Sequence, residues 1–545
     1  MPDLLPSPTD PAAPIVVERR LAWAPVIDAL RALVSDGRLR TPLYLVGGSV
    51  RDAWLGRAAP DIDLTTPGDG QPLARTIANA LGGAYYPLDA ERGVGRALID
   101  YQGARCVIDI ARFRGETLID DLRARDFTVN ALAVRLEAES GEPGGLIFDP
   151  TGGLADLKAR KLRRCSVDSI ASDPIRAVRA VRQSAALKFM IEPLTRVDVR
   201  AAQLSQVSAE RIRDEFVKVL DGAHPQAALR ALDSLGLLAQ IVPEAQAMHG
   251  LQQSAPHQFD VWEHTLRVIE KLDRLLGIIS PTRSDSSAAD GMFGMVVYLL
   301  DRHRTRLQMH LATLLPSGRS NRAILQFAAL LHDCGKVPTR QIDAEGRIRF
   351  PQHAEAGAEL TRSRATALRF SNAEIERSVA IVRGHMQPST LFYGFRSHVG
   401  LSSRIEANPA ALTEVRVDPR DVHRFWRANG EAGIDICLLT MADFLGVTLA
   451  NWELPEWLGY LTMIDGLLTG YFEQYDTLIA PPPLVDGTTL IEVFHLAPSP
   501  VIGALLRYLL EAQAIGQITS RDEALAAARE WLTAGPPDDS DNAAL

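Results

Sequence analysis

The stretch Leu45-Val46-Gly47-Gly48-Ser49-Val50-Arg51-Asp52, with Asp61-Ile62-Asp63-Leu64 close behind it, constrains this chain more than any other part. An apolar run stops at two glycines, and a serine opens the next helix. Ser49 and Asp52 have capping-box spacing, with Asp standing where Glu or Gln is usual. The glycines permit close backbone approach to a ligand, and a helix start aims unpaired N–H groups at an anion. Asp61 and Asp63 alternate along an extended strand, so both carboxylates face one side. Hard oxygen ligands of that kind suit Mg²⁺, which is held by a few carboxylates together with phosphate oxygens. A Gly-Gly turn or an Asp-x-Asp pair alone is ordinary punctuation. Together, within so short a span, they are the layout expected for nucleotidyl transfer.

The 545 residues call for two to four structural units. With 46% hydrophobic and 23% charged residues, the chain reads as an ordinary globular protein. No apolar run approaches membrane-spanning length, and Met1 to Pro14 lacks the apolar core of a signal peptide. Cys106, Cys165, Cys334 and Cys437 are scattered without a Cys-x-x-Cys pair, which fits a reducing compartment; a cytoplasmic location and no membrane partner are expected. The net charge of −9 argues mildly against nucleic-acid binding as a global property, but phosphate contact needs only a local basic surface.

Taken in order, residues 1–16 read as a loose tail and 17–37 as a helical brace through Leu21, Val26, Leu30 and Leu33. Candidate strands are Leu43–Val46, Ala84–Leu88, Arg96–Asp100, Arg105–Ile110 and Asn130–Leu136, which make a small mixed α/β head. Asp109 falls inside the apolar run Cys106–Ile110, where a lone charge is costly. Two readings stand: a metal shared with Asp61 and Asp63, or a pair with Arg112 or Arg114. Asp173-Pro174 is a helix start, Asp as N-cap and Pro at the first helical position. In the helix 173–187 that follows, Arg176, Arg179 and Arg182 share one side, while Ile175, Val178 and Val181 face a core. Lys158, Arg160, Lys161, Arg163 and Arg164 form a basic run, either a solvated turn or a contact for an RNA phosphate backbone.

The motifs Gly47 to Asp52, Leu55-Gly56-Arg57 and Asp61/Asp63 resemble the class II tRNA nucleotidyltransferase and bacterial poly(A) polymerase family. Four further motifs follow in order: Arg125-Asp126-Phe127-Thr128-Val129-Asn130-Ala131; Asp149 to Leu157 with Gly152-Gly153; Asp173-x-x-Arg176-x-x-Arg179; and Glu210 to Glu215. The sequence departs from the family at Ala124, where an Arg is usual, and at Ser172, where a Glu is usual.

The resemblance implies an α+β chain: a small polymerase-β-like nucleotidyltransferase head followed by a mostly α-helical body. It implies that Asp61, Asp63 and Asp109 are catalytic, the first two holding Mg²⁺. Gly48, Ser49, Arg51, Arg125, Asp126, Asn130, Asp173, Arg176, Arg179 and Arg182 would bind the nucleotide. Asp173 and Arg176 would read the base edge of C or A, a protein surface replacing a nucleic-acid template. G and U would leave those groups unpaired. The Asp149–Leu157 turn reads as a hinge or as a plain loop.

A second constellation begins near residue 251: His264, then His332-Asp333 closing the run Phe327–Leu331 with Gly335 as a helix stop, then His353, His385 and Asp443. It resembles the HD phosphohydrolase domain. His264, His332, Asp333 and Asp443 match that domain's metal ligands, for a second divalent ion of unspecified identity, and His353 and His385 are candidates for a further metal.

The expected organisation is a tail (1–16), head (17–165), helical neck binding nucleotide and tRNA (166–250), HD domain (251–450) with an insertion at 279–320, C-terminal helices (451–535) and a disordered tail (536–545). The expected activity is transfer of CMP and AMP from CTP and ATP to the tRNA 3′ end, completing CCA. Rival readings are CC addition alone, poly(A) polymerase, or an HD phosphohydrolase with an RNA-binding head. The CC-only reading has a specific basis: many CCA-adding relatives carry a longer loop between the positions of Asp109 and Arg125, and its loss accompanies CC-only addition. The sequence leaves the oligomeric state open.

Overall fold

The computed structural model describes residues 14–16, 21–58, 61–136, 146–283, 291–398, 417–447 and 454–534. Most of the N-terminal tail, the C-terminal tail and the serine-rich start of the 279–320 insertion lie outside the described residues. The chain divides into two compact units, Met1–Val207 and Ser208–Leu545, so the stretch expected as a neck is shared between them.

The first unit is built on a mixed sheet of eight strands: β1 (Ile15–Val16), β2 (Tyr44–Val46), β3 (Asp61–Thr66), β4 (Ala84–Asp89), β5 (Val94–Tyr101), β6 (Ala104–Arg112), β7 (Ala133–Arg135) and β8 (Leu146–Phe148). Their spatial order is β1-β8-β7-β2-β3-β6-β5-β4. Only β3 and β6 run parallel; every other neighbouring pair in the sheet is antiparallel. One expectation is corrected at the edge: Ile15 and Val16 are not loose tail but pair with Ile147 and Leu146 of β8.

Alternation decides which side chains meet. Ile62 and Leu64 of β3, Ile108 and Ile110 of β6, and Ala97 and Ile99 of β5 are buried. The intervening Asp61, Asp63, Asp109 and Arg96 therefore emerge on the opposite face. Asp109 is accordingly not a charge sealed in the core, because a strand with one buried face presents its odd positions to the other side.

Among the described residues the first unit also carries seven α-helices: α1 (Val26–Ser35), α2 (Gly48–Trp54), α3 (Gln71–Leu81), α4 (Leu118–Arg123), α5 (Gly153–Ala159), α6 (Ile175–Leu187) and α7 (Pro193–Ala201), the last two packed on each other. The expected core positions hold, with Val26, Leu30 and Leu33 of α1 and Ile175, Val178 and Val181 of α6 all buried. Two starts differ from expectation. Helix α2 is capped by the backbone of Gly47 (φ +67°), not by the Ser49 side chain, and its first turn lacks a side-chain cap. Helix α6 starts one turn position later, with Pro174 as N-cap, again with no capping side chain.

The Asp149–Leu157 turn is a tight lock. Asp149 accepts the N–H groups of Gly153 at 2.7 Å and Leu154 at 2.9 Å, which fixes the first turn of α5. Gly152 takes φ +80°. A Cβ on Gly153 would lie 2.2 Å from the Thr128 carbonyl oxygen. These glycines are therefore required by packing and conformation and are not plain loop residues.

Among the described residues the second unit is helical, with one small hairpin, Gln341–Ile342 and Ile348–Arg349, that the periodicity did not anticipate. Helix Val261–Ile279 packs on helix Ala432–Gly446, and helix His353–Ala367 packs on helix Asn372–Gly384. Helix Asn321–Leu331 ends at His332. Gly335 is not an αL stop, since its φ is −67°; it is a glycine because a Cβ there would meet the His353 carbonyl oxygen at 2.0 Å. Leu490, Leu505, Leu509 and Ala524 close a separate small core among the last three helices.

The Gly153 contact yields a stability prediction. Gly153→Ala must push α5 away from Thr128, so urea unfolding should show a loss of about 1–3 kcal/mol, as overpacked sites do.

Candidate functional site

The parallel pairing of β3 with β6 sets Asp63 directly beside Asp109, with Asp61 one alternation away beside Val107. Ser49, expected as a helix cap, has another task. Its hydroxyl accepts the Asp63 N–H at 2.9 Å and donates to the Asp61 carbonyl at 3.3 Å, so α2 is pinned along the strand carrying both acids. Its buried position in the short helix makes this possible.

Asp109 is paired, but with neither arginine expected for it. Arg96 on β5 grips both its oxygens, at 2.7 and 2.8 Å. Arg96 stands opposite Asp109 in the antiparallel register of β5 and β6. Metal ligation and ion pairing thus need not compete as alternatives: a half-buried carboxylate oriented by a guanidinium still faces Asp63. The proximity of protein around Asp63, followed by the charges of Asp109 and Asp61, raises its carboxyl above the ordinary range, while Arg125 and Arg51 oppose the shift. Three oxygen donors whose charges disfavour one another are a set that fits a divalent cation.

Facing these acids is a cationic wall. A Cβ built on Gly47 would fall 3.2 Å from an Arg125 guanidinium nitrogen and 3.3 Å from Asp63 Oδ2, so the glycine fits between the two. Arg125 is held by two bonds to Asp121, at 2.9 and 3.2 Å. Arg51 pairs with Asp52 through two nitrogens and donates a third bond, 2.7 Å, to Asn130 Oδ1. Asn130 in turn donates to Asp126 at 2.9 Å and to Gln183 of α6 at 3.0 Å. Burial alone would raise the Asp126 carboxyl, but Arg179, Asn130 and the Phe127 N–H together hold it below the ordinary range.

The arginines of α6 are not a solvated face. Arg179 bonds Asp126 at 3.2 Å. Arg176 donates to the carbonyls of Ala124 (3.0 Å), Arg125 (3.3 Å) and Ser169 (3.1 Å) and to the Ser169 hydroxyl (2.9 Å), and its Nε is 3.7 Å from Asp173. Arg182 is half-buried on the same helix. The basic run is divided. Arg163 pairs with Asp156, Arg164 pairs with Asp198, and Lys158 lies over the Trp54 ring, whereas Arg160 and Lys161 are exposed. Sequence reading missed Ser49 as a strand clamp, and Arg96, Asp121 and Gln183 altogether. Asp121 alone carried a signal, four residues before Arg125.

The second unit assembles all six residues expected of its histidine–aspartate centre. His264 Nε2 lies 2.9 Å from Asp443 Oδ1 and 3.5 Å from Asp333 Oδ2, while its buried Nδ1 has no hydrogen-bond partner among the described residues. His332 Nδ1 lies 2.8 Å from the Ala329 carbonyl, His353 Nδ1 3.0 Å from Phe350 and His385 Nδ1 2.6 Å from Val382. Each Nδ1 thus donates to a backbone carbonyl, which leaves Nε2 as the atom each ring presents to the centre. Burial opposes the charge on His332, but Asp333 and Asp443 raise its pKa above the ordinary imidazole range. The Nε2 atoms of His353 and His385 face one another at 3.3 Å. Burial lowers both, His385 to about 3, so both rings are neutral.

Two opposed lone pairs, with the imidazole of His264 set between two buried carboxylates, are the donor chemistry of a cation site. Among the described residues Asp333 stands in two possible ligand groups, with His264 and His332 on one side and His353 and His385 on the other. Burial would raise Asp333 and Asp443, but Lys336 and His332 hold the first well below the carboxylate range, and His264 and His332 the second. Lys336, 2.7 Å from Asp333 and 2.8 Å from Gln253, was missed, as was His257, edge-on to His264 and lowered to about 4 by burial. Lys336 had the spacing signal of a residue one helical turn after Asp333.

Comparison with known proteins now places this geometry. Residues 43–163 match the poly A polymerase head domain, 188–248 the probable RNA and SrmB-binding site of polymerase A, and 261–394 the HD domain. Both the nucleotidyltransferase and the HD families are metal-dependent. An A-adding tRNA nucleotidyltransferase of Deinococcus radiodurans is 31% identical over 500 residues, covering 90% of this chain and 96% of the relative. A CC-adding tRNA nucleotidyltransferase of Thermus thermophilus is 30% identical over 512 residues, covering 91% and 96%. A CCA-adding enzyme solved with ATP shares the fold, with TM-score 0.55 and 20% identity over 93% of this chain and 95% of that one. No helix among the described residues is long and apolar enough to cross a membrane. Near-complete coverage by such relatives, on a head whose acids and arginines are arranged as above, makes the chain a member of the tRNA nucleotidyltransferase family, with an HD domain in its second unit.

Proposed function

We propose that the head transfers CMP and AMP from CTP and ATP to the 3′ end of tRNA, completing the terminal CCA without a nucleic-acid template. The observation that carries this reading is the shared face of Asp61, Asp63 and Asp109 across β3 and β6, with Arg51 and Arg125 opposite. Asp61 and Asp63 would hold Mg²⁺, which when bound neutralises triphosphate charge and orients the reacting oxygens. Arg96 keeps Asp109 turned toward that pair. Gly48, Ser49 and Arg51 line the triphosphate side, and Arg125 binds the triphosphate or sugar. Asp126 and Asn130 order this wall through their bonds to Arg179 and Arg51. Asp173 and Arg176 read the base edge, with Arg182 on the same helix side. Arg160 and Lys161, exposed and adjacent, suit the tRNA backbone better than Arg163 and Arg164, which are already paired.

Changing Asp61 or Asp63 to Ala should lower nucleotide incorporation by roughly a thousandfold or more, the scale of a lost metal contribution, while tRNA affinity in filter binding stays near wild type. Near-normal incorporation by both variants would remove the proposed metal site.

The second unit would hold a divalent metal through His264, His332, Asp333 and Asp443, with His353 and His385 able to extend the site to a second ion, and would act as a phosphoesterase. Metal analysis should find bound ion in the wild type and little in Asp333→Ala. Equal, negligible occupancy in both would make the domain structural.

A second reading of the head, CC addition alone, is favoured by one observation. The connection from Asp109 to Arg125 is short and fully ordered: Phe113 N–H bonds Thr66 O, and Thr117 caps α4 in a reciprocal capping box with Asp120. No long loop is present there to help turn the base pocket from C to A. On tRNA lacking its 3′ end, CTP alone should give CC, and CTP with ATP should give CCA. Arrest at CC with ATP present would establish the second reading, and a long A tail from ATP alone would indicate a poly(A) polymerase.

A further inference from the structure

We propose that Arg114 is a phosphate-binding residue of the nucleotidyl-transfer site, a role that rests on the reading of the head given above. Arg114 follows β6 by two residues and is exposed. Among the described residues its guanidinium has no carboxylate within ion-pair distance. Its Nη1 reaches the Ala124 carbonyl at 3.4 Å, and the same oxygen accepts Arg176 Nη2 at 3.0 Å. Two guanidinium groups therefore converge on one neutral acceptor.

The nearby carboxylates are engaged by other cations. Asp121 gives Oδ2 to Arg125 and uses Oδ1 for the backbone N–H of Arg114, not for its guanidinium. Asp126 is bound by Arg179. The cluster of Arg114, Arg125 and Arg176 thus holds more positive charge than its protein partners balance. Surrounding protein, then Arg125, lower the Arg114 pKa, while Asp121 opposes this. An anion bearing several oxygens would relieve that repulsion and use the forked donors of Arg114.

The position selects phosphate. Arg125, one member of the cluster, lies against Gly47, which on its other side touches Asp63, so the unbalanced charge borders the acidic centre where a triphosphate and a tRNA 3′ end must meet. The phosphate oxygen bound by Arg114 belongs either to the incoming nucleotide or to the last phosphodiester of the tRNA.

The test uses the full chain with Arg114→Ala and Arg114→Lys, on tRNA lacking its CCA end. KM for CTP and for tRNA, kcat, and equilibrium binding of CTP and of tRNA would be measured, with thermal melting to verify folding. Loss of one charged hydrogen bond should raise KM and Kd for one of the two substrates about 10- to 100-fold, kcat changing less, with partial recovery in the Lys variant. A rise confined to CTP assigns the nucleotide phosphate, and one confined to tRNA assigns the primer phosphate. Unchanged KM and Kd for both substrates in a folded Ala variant would overturn the proposal, as would a fall in kcat alone. A wild-type chain that binds CTP and tRNA but incorporates nothing would instead overturn the reading of the head on which the proposal rests.

Discussion

The buried carboxylate of Asp126 is the interaction on which the head depends. A charge in that position is tolerated only because each side of it is satisfied: the Phe127 N–H and Asn130 within its own turn, and Arg179 from α6. Through Asn130 the network reaches Arg51 on α2, and through Gln183 it returns to α6. Three segments far apart in sequence are thereby fixed relative to one carboxylate. A hydrophobic substitute could fill the volume, but it could not orient Arg51 and Arg179 at once. Orientation is what a triphosphate site requires, because a guanidinium free to rotate contributes charge without geometry.

The same logic divides charge across the sheet. Strand pairing places three carboxylates on one face, and helix α2 with the Arg125 turn brings cations against them. Neither group is neutralised by the other. Arg125 is held away from Asp63 by its bonds to Asp121, and Asp109 is held by Arg96 on the far side. Internal ion pairs act here as spacers, keeping an acidic and a basic surface adjacent without collapse into a salt bridge. A chain of net charge −9 can in this way present a strongly cationic wall where phosphate must bind.

The parts of this site that were legible in the sequence are those encoded locally. Asp61 and Asp63 on a strand, the glycine turn before α2, and the apolar stripe of α6 all follow from spacing within a few residues. What could not be read was the partner across the sheet. Arg96 meets Asp109 only because β5 and β6 form an antiparallel pair in one register, and a shift by one residue would turn it to the other face. Ser49 misled because a hydroxyl at a helix start is usually a cap. Here the Gly47 backbone makes that turn, and the hydroxyl goes instead to the Asp63 N–H, a contact set by tertiary packing. The histidine–aspartate centre shows the same division, since its six residues were identifiable by type while Lys336 and His257 emerged only from the fold.

The two centres differ in a way that follows from their supporting elements. In the head, donors come from adjacent strands, so spacing is set by the sheet and all are carboxylate oxygens, a set suited to a small hard cation that keeps phosphate and water as its other ligands. In the second unit the donors come from near the ends of helices, and the imidazoles of His332, His353 and His385 are each aimed by a hydrogen bond from Nδ1 to a carbonyl three residues earlier. The last turn of a helix has carbonyls without intrahelical partners, so it supplies this acceptor at no cost to the helix itself. His332 after Leu331 and His385 after Gly384 both occupy that position. Mixed nitrogen and oxygen donors of this kind suit first-row transition ions as well as Mg²⁺. Placement on different helices also explains why the ligands are scattered through the sequence: His264, His332, His353, His385 and Asp443 each belong to, or directly follow, a different helix, and only the packing of those helices brings them together.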